Sequence, residues 1–145
     1  MHNSRILIID DSITIRMMVE ELLTIEGRCP DIAVAPDVAT ARKLIKQFCP
    51  TLITLDLNMP GSNGLVLLDE LRRYPHAPVV VLSSATTEGS AAAQEAMEHG
   101  ADACFDKSKI ISQSAQFIRT LKKASVKKLS RTKGATKAIA VSAAA

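Results

Sequence analysis

The side chains able to do chemistry in this chain follow short aliphatic runs. RILIID closes on Asp10 and is followed by Asp11, TLITLD closes on Asp56, PVVVLSS ends in Ser83 and Ser84, and ACF precedes Asp106 and Lys107. If the runs are neighbouring strands of one sheet, these residues converge on one edge. Carboxylates held within about 4 Å repel by roughly 4 kcal/mol per pair at an effective dielectric near 20, so the group calls for a cation. A hard divalent ion with oxygen preference suits it, and Mg²⁺ takes one or two protein carboxylates while keeping several waters. Lys107 offers further positive charge. Singly, each residue is ordinary: aspartates end strands and cap helices, serines are small polar residues, and lysines are solvated charges. Joint placement is what carries the reading.

The elements that must position them alternate along the chain. Aliphatic runs at 5–10, 31–35, 51–56, 78–84 and 103–105 read as strands buried on both faces. Between them, Ser12 caps an expected helix over Ile13 to Thr24, with Ile15, Val19, Leu22 and Leu23 inward and Gly27 beyond its end. Asp37 caps Val38 to Phe48, where Ala41, Leu44, Ile45 and Phe48 share a face. Further helices are expected over Gly64 to Tyr74 before Pro75, over Ser90 to His99 before Gly100, and over Ile111 to Ala124. The last should bury Ile111, Ala115, Ile118 and Leu121. Right-handed crossovers in a chain this short give an α/β fold, a doubly wound five-stranded parallel sheet of order 2-1-3-4-5. Its ligand site lies beyond the carboxyl ends, near the switch between strands 1 and 3.

Composition narrows the function classes. The 145 residues make about one domain, and 47% hydrophobic against 23% charged residues supports a core. Phe48, Tyr74, Phe105 and Phe117 are the only aromatics, so base-stacking recognition of nucleic acid has no platform. Cys29, Cys49 and Cys104 form no C-x-x-C pair, which points to a reducing cytoplasm rather than a disulfide or zinc framework. No apolar run has the length of a membrane helix, and MHNSRILIID lacks a signal-peptide cleavage region. Residues 1–124 hold 13 Lys/Arg and all 15 Asp/Glu, whereas residues 125–145 hold five basic residues and no acid. His2, His76 and His99 lack metal-ligand spacing, and Met59 reads as a packing residue.

Taken together, ILIIDDS, LITLDLNMPGSNGL, VVVLSS and GADACFDKS resemble the receiver domain of bacterial response regulators, in order and at receiver-like spacing. The resemblance covers about residues 4–124, giving a receiver domain at 1–124 and a basic flexible tail or linker at 125–145. It implies a flavodoxin-like (βα)5 fold and a two-component phosphoacceptor. Asp56 is then the acceptor; Asp11 and Asp56 ligate Mg²⁺ with the backbone carbonyl of Asn58, and Asp10 helps through water. Ser83 and Lys107 contact the phosphoryl oxygens. Implied partners are a histidine kinase or phosphotransfer protein and a downstream effector, while the composition itself argues for no membrane and against nucleic acid. The chemistry agrees, because an aspartate can be a carboxylate nucleophile and phosphoryl transfer is dominated by positioning and charge neutralisation.

The chain departs from the family pattern at two places. Cys104 stands where receivers commonly carry an aromatic switch residue, and Phe105 must face the opposite side of its strand. Ser108 stands where a proline commonly follows the lysine; a cis bond before a non-proline residue costs roughly 2.5–4 kcal/mol, so a trans bond is expected. Ser108 or Ser112 is a candidate cap for the final helix, and activation is expected to act through Ser83 on the loop from Ser84 to Ser90. VVVLSSATTEGS with LITLDLNMPGSNGL is most similar to the receiver half of chemotaxis methylesterases, in which an effector follows the linker. Two other readings compete. A small Mg²⁺-dependent phosphatase would use Asp56 as nucleophile, but the general acid it needs two residues later is here Asn58. A tail-mediated nucleic-acid binder would have only five salt-sensitive cations to work with.

Overall fold

The computed structural model describes residues 4–25, 31–59, 64–83 and 91–126. Chain order is β1 (Arg5–Ile9), α1 (Ile13–Ile25), β2 (Asp31–Ala35), α2 (Val38–Gln47), β3 (Leu52–Asp56), α3 (Gly64–Leu71), β4 (Val79–Ser83), α4 (Ala91–Glu98), β5 (Ala103–Asp106) and a 3₁₀ turn at Lys107–Lys109. Helix α5 comprises residues 114–126. The five strands are parallel in the order β2-β1-β3-β4-β5, with Ile9 opposite Ala35 and Leu55, and Asp56 opposite Leu82. This is the doubly wound flavodoxin-like sheet read from the sequence.

Strand alternation sends neighbouring side chains into two cores. Leu7, Ile9, Ile53, Leu55, Val79 and Val81 pack beneath α2, α3 and α4. Ile6, Ile8, Leu52, Val80 and Leu82 pack with Val19 and Leu23 of α1 and Phe117 and Leu121 of α5. Fully burying each such side chain is worth about 1.5–3 kcal/mol, which makes the sheet the rigid floor of the site.

Local chemistry starts and stops the helices. Ser12 Oγ accepts the Ile15 N–H at 3.3 Å, and Asp37 Oδ1 accepts the Thr40 N–H at 2.7 Å, each satisfying a donor that helix geometry leaves unpaired. Helix α3 ends at Leu71, three residues before the expected Tyr74. Tyr74 precedes Pro75, which disfavours helical backbone, and Arg73 and Tyr74 instead close tight bonds to Glu70 and Leu71 oxygens at 3.2 and 3.0 Å. Helix α4 stops where expected, because Gly100 adopts φ +104°. Its N–H donates to Met97 O at 3.1 Å, and Ala101 N–H to Ala96 O at 3.0 Å, the paired bonds of a Schellman ending.

The final helix corrects the sequence reading. Ile111 is 58% exposed and Ala115 is also exposed, while Ile110 and Phe117 are buried. The chain turns through residues 110–113 before the helix begins at 114, so the inward stripe becomes Ile110, Phe117, Ile118, Leu121 and Ala124. Phe117 is the largest apolar side chain in the segment, and the phase that buries it wins. Gly27, Cys29, His2, Pro60, Gly61, Ser84, Ser90 and the tail from 127 onward lie outside the described residues, as does the loop through which activation is expected to act.

Candidate functional site

Each acidic side chain at the sheet edge is placed by the strand before it. Asp10 follows β1, its N–H donating to Ala35 O at 3.0 Å, and Asp56 is the last residue of β3. The Ser12 N–H donates to Asp10 Oδ1 at 2.8 Å, and the Asn58 N–H to Asp56 Oδ1 at 2.8 Å. These backbone donors fix both carboxylates where the chain turns off the sheet. Ligand oxygens of Asp10, Asp11 and Asp56 lie within 4.8 Å of one another, with Asp10 and Asp56 buried and Asp11 exposed.

Lys107 arrives from the far end of β5. Its Nζ lies 2.9 Å from Asp56 Oδ2 and 3.3 Å from Asp10 Oδ2, and its side chain is 13% exposed. Burial alone pulls the ammonium pKa down, but the hydrogen bond and charge of Asp56, together with Asp10, outweigh it and leave the pKa raised. Burial pushes the Asp10 carboxyl up, and the Asp56 charge adds to this against the Ser12 N–H and Lys107. Ser83 is buried at the end of β4, one residue past the partner of Asp56. The sequence-derived residues thus gather at one edge, and Asn58 joins them through its N–H.

The group fits a divalent cation. Three carboxylates face one ammonium, and beyond the Lys107 Nζ ion pair at 3.3 Å the buried Asp10 Oδ2 has no hydrogen-bond partner among the described residues. An oxygen-seeking ion, or the water it carries, satisfies such an acceptor. The carboxylate oxygens of Asp10, Asp11 and Asp56 are the ones placed closely enough together to hold such an ion.

The loop after Lys107 holds a feature that the sequence reading passed over. Asp106 caps the 3₁₀ turn, and its Oδ1 accepts both the Ser108 N–H at 2.9 Å and the Ser108 hydroxyl at 2.7 Å. The expected capping serine is therefore a donor to the cap, and the recognisable signal was an aspartate two residues before a serine. No described peptide bond is cis, so the Lys107–Ser108 bond is trans as expected, and Lys107 still reaches Asp56.

Phe105 and Cys104 face opposite sides as expected. The Phe105 ring sits 5.2 Å from that of Phe117, whereas Cys104 Sγ donates to Ala93 O of α4 at 3.6 Å. Burial pushes the Cys104 thiol up, away from thiolate chemistry. Met59 is buried in the core beneath α2, α3 and α4, as its reading as a packing residue requires.

An open parallel sheet with its titratable groups at the order-reversal point defines an α/β domain built to act at its strand ends. The chain belongs to the response regulator receiver domain family, whose model matches residues 6–122. It is 41% identical over 116 residues to a protein-glutamate methylesterase/protein-glutamine glutaminase of Thiobacillus denitrificans, covering 80% of this chain and 33% of that protein. A relative of the same description from Ralstonia nicotianae is 43% identical over 97 residues, 67% of this chain and 26% of that one. The chain therefore spans at most about a third of the length of these relatives. Among solved structures, the response regulator domain of Thermotoga maritima CheB aligns with TM-score 0.76 and 25% identity over 84% of this chain and 96% of that one. The Mn(2+)-bound form of response regulator Rcp1 aligns with TM-score 0.62 and 26% identity over 71% of this chain and 80% of that one. No helix among the described residues is long and apolar enough to cross a membrane.

Proposed function

We propose that this receiver takes a phosphoryl group from a histidine kinase or phosphotransfer protein onto Asp56 in a Mg²⁺-dependent step. The observation that carries the reading is Lys107 Nζ at 2.9 Å from Asp56 Oδ2 within the acidic cluster. An Asp56 oxygen attacks phosphorus, an acyl phosphate P–O bond forms, and the donor's P–N bond breaks with its electron pair leaving on imidazole. Lys107, kept protonated by its carboxylate neighbours, and the Ser83 hydroxyl neutralise charge on the transferring oxygens. Asp11, Asp56 and the Asn58 carbonyl would hold Mg²⁺, with Asp10 helping through water, and the ion would supply further charge neutralisation on those oxygens. The Mn(2+) named for Rcp1 supports a divalent ion at such a site.

The test is acetyl phosphate with Mg²⁺ followed by intact mass. One phosphoryl adduct is expected, lost with a chelator and lost in Asp56→Asn. An undiminished adduct in that variant overturns the assignment.

The effector is proposed to be a methylesterase-type catalytic domain, supported by what the curated relatives are called and by the third of their length that this chain spans. This chain's own residues serve as the phosphoacceptor switch, with residues 125–145 as linker or tail. The free thiols of Cys49 and Cys104 fit a cytoplasmic setting. Phosphorylation-dependent release of methanol from methylated glutamates by the complete regulator tests the effector, and its absence refutes it.

A further inference from the structure

We propose that the groove between α2 and α3 docks an acidic peptide segment carrying an apolar anchor side chain. The groove encloses about 540 Å³, within the rough 300–1,000 Å³ of binding pockets. It opens beside the loop joining α3 to β4, at the end of the sheet opposite the acidic cluster. Phosphoryl chemistry does not use it.

Its construction joins an apolar floor to a cationic rim. Ile45 of α2, Leu67 and Leu71 of α3, and Pro75 supply the floor. Arg42, Lys46 and Arg73 line it together with Glu70, the one carboxylate among the described lining residues; Glu70 neutralises Arg42, so Lys46 and Arg73 carry the net positive charge of the rim. Glu70 accepts Arg42 Nε at 2.9 Å and Nη2 at 2.8 Å in a two-point bridge from α3 to α2. Tyr74, 66% exposed, stands at the rim as the amphipathic aromatic that interfaces favour.

Charge selects the occupant. The chain's own residues 125–145 carry five basic residues and no acid, so the groove repels them. A two-fold pairing of two copies through this patch would set cationic rim against cationic rim. An acidic segment with one apolar side chain satisfies both rim and floor.

The test is an amide-NMR titration with an acetylated ten-residue peptide of Glu and Leu, run beside versions with Gln or Lys in place of Glu. Saturable shifts are expected at residues 42–46 and 67–76, weakening as salt rises. The double variant Lys46→Glu/Arg73→Glu should weaken binding at least about tenfold, because like charges across an interface are strongly disfavoured. Tyr74→Ala, a change at an exposed side chain, should also weaken it while leaving the circular dichroism unchanged. The proposal is overturned if shifts map elsewhere, if the Gln or Lys peptide binds equally, or if binding survives the charge reversal. It is also overturned if N-acetylglutamate alone gives the same shifts, or if self-association of the chain occupies the groove.

Discussion

Ser108 and Asp106 close a two-bond clasp around the residue between them, with hydroxyl and backbone N–H of the serine meeting one carboxylate oxygen at 2.7 and 2.9 Å. The enclosed residue is Lys107, so the clasp sets the path by which the ammonium leaves β5 for Asp56. The Ser108 bonds hold the Asp106 carboxyl below its ordinary pKa, so the clasp is intact at neutral pH. Ser108→Ala removes one bond and is expected to slow phosphorylation of Asp56 several-fold with little change in melting temperature; Ser108→Thr restores the rate. Ser108→Pro removes both donors, and its rate should fall below that of Ser108→Ala. Equal acetyl phosphate kinetics in all four proteins would dismiss the clasp as surface decoration.

The burial of Asp10 in the acidic cluster costs stability. Its carboxyl pKa is raised above the ordinary 3.8 by burial, with the Asp56 charge adding to the shift. A raised carboxyl contributes stability that is full below the unfolded value and lost as pH rises through the folded one. Asp10→Asn keeps an oxygen for the Ser12 N–H, so without metal it should melt higher than wild type at pH 7. The gap should close as pH falls toward 3.8. Mg²⁺ affinity should fall about 10–100-fold, the usual loss for a group that supports an ion from behind its ligands. Matching melting curves at pH 7 with unchanged Mg²⁺ titrations would contradict both parts.

Thr54 lies in the middle of β3 with no exposure, and its Oγ1 has no hydrogen-bond partner among the described residues. A buried hydroxyl left unpaired costs about 1–3 kcal/mol. Thr54→Val keeps the shape and discards the hydroxyl, so thermal unfolding should move upward. A lower melting temperature would mean that the hydroxyl is satisfied by bound water.

Phe117→Ala should cost about 3–5 kcal/mol in denaturant unfolding, the range for a buried aromatic, while Ile111→Ala stays within about 0.5 kcal/mol. The reverse order would restore the helical phase expected from sequence. That contrast marks where sequence reading stops. Strand ends, caps at Ser12 and Asp37, and the gathering of Asp10, Asp11, Asp56, Ser83 and Lys107 were legible because short continuous aliphatic runs and capping residues act locally. The phase of α5 was not, since 111, 115, 118 and 121 and the observed stripe are both helical spacings, and only packing against Val19 and Leu23 chooses between them. Nor was the Arg42–Glu70 bridge, which depends on how α2 and α3 sit side by side.

Gly100 is the residue whose replacement tests the α3–α4 junction most directly. Its φ of +104° lies where side chains other than hydrogen are disfavoured, and an added Cβ would come within 2.8 Å of Arg72 Cγ and 2.9 Å of its Cδ. Arg72 is also tethered, with Nη1 3.4 Å from Glu98 O and 3.8 Å from Asp69 Oδ1, while Asp69 Oδ1 lies 2.7 Å from His99 Nδ1. Gly100→Ala therefore meets backbone strain, worth about 1–2 kcal/mol for a left-handed residue, and a collision with the Arg72 stem, which can move only by giving up its contacts to Glu98 and Asp69. Arg72→Ala alone loses only exposed interactions and should cost little. In the double variant the collision is gone and the backbone strain remains, so the combined loss should be smaller than the sum of the two single losses. Additive losses in chemical denaturation would show that Arg72 gives way at no cost and that the strain at φ accounts for the whole effect.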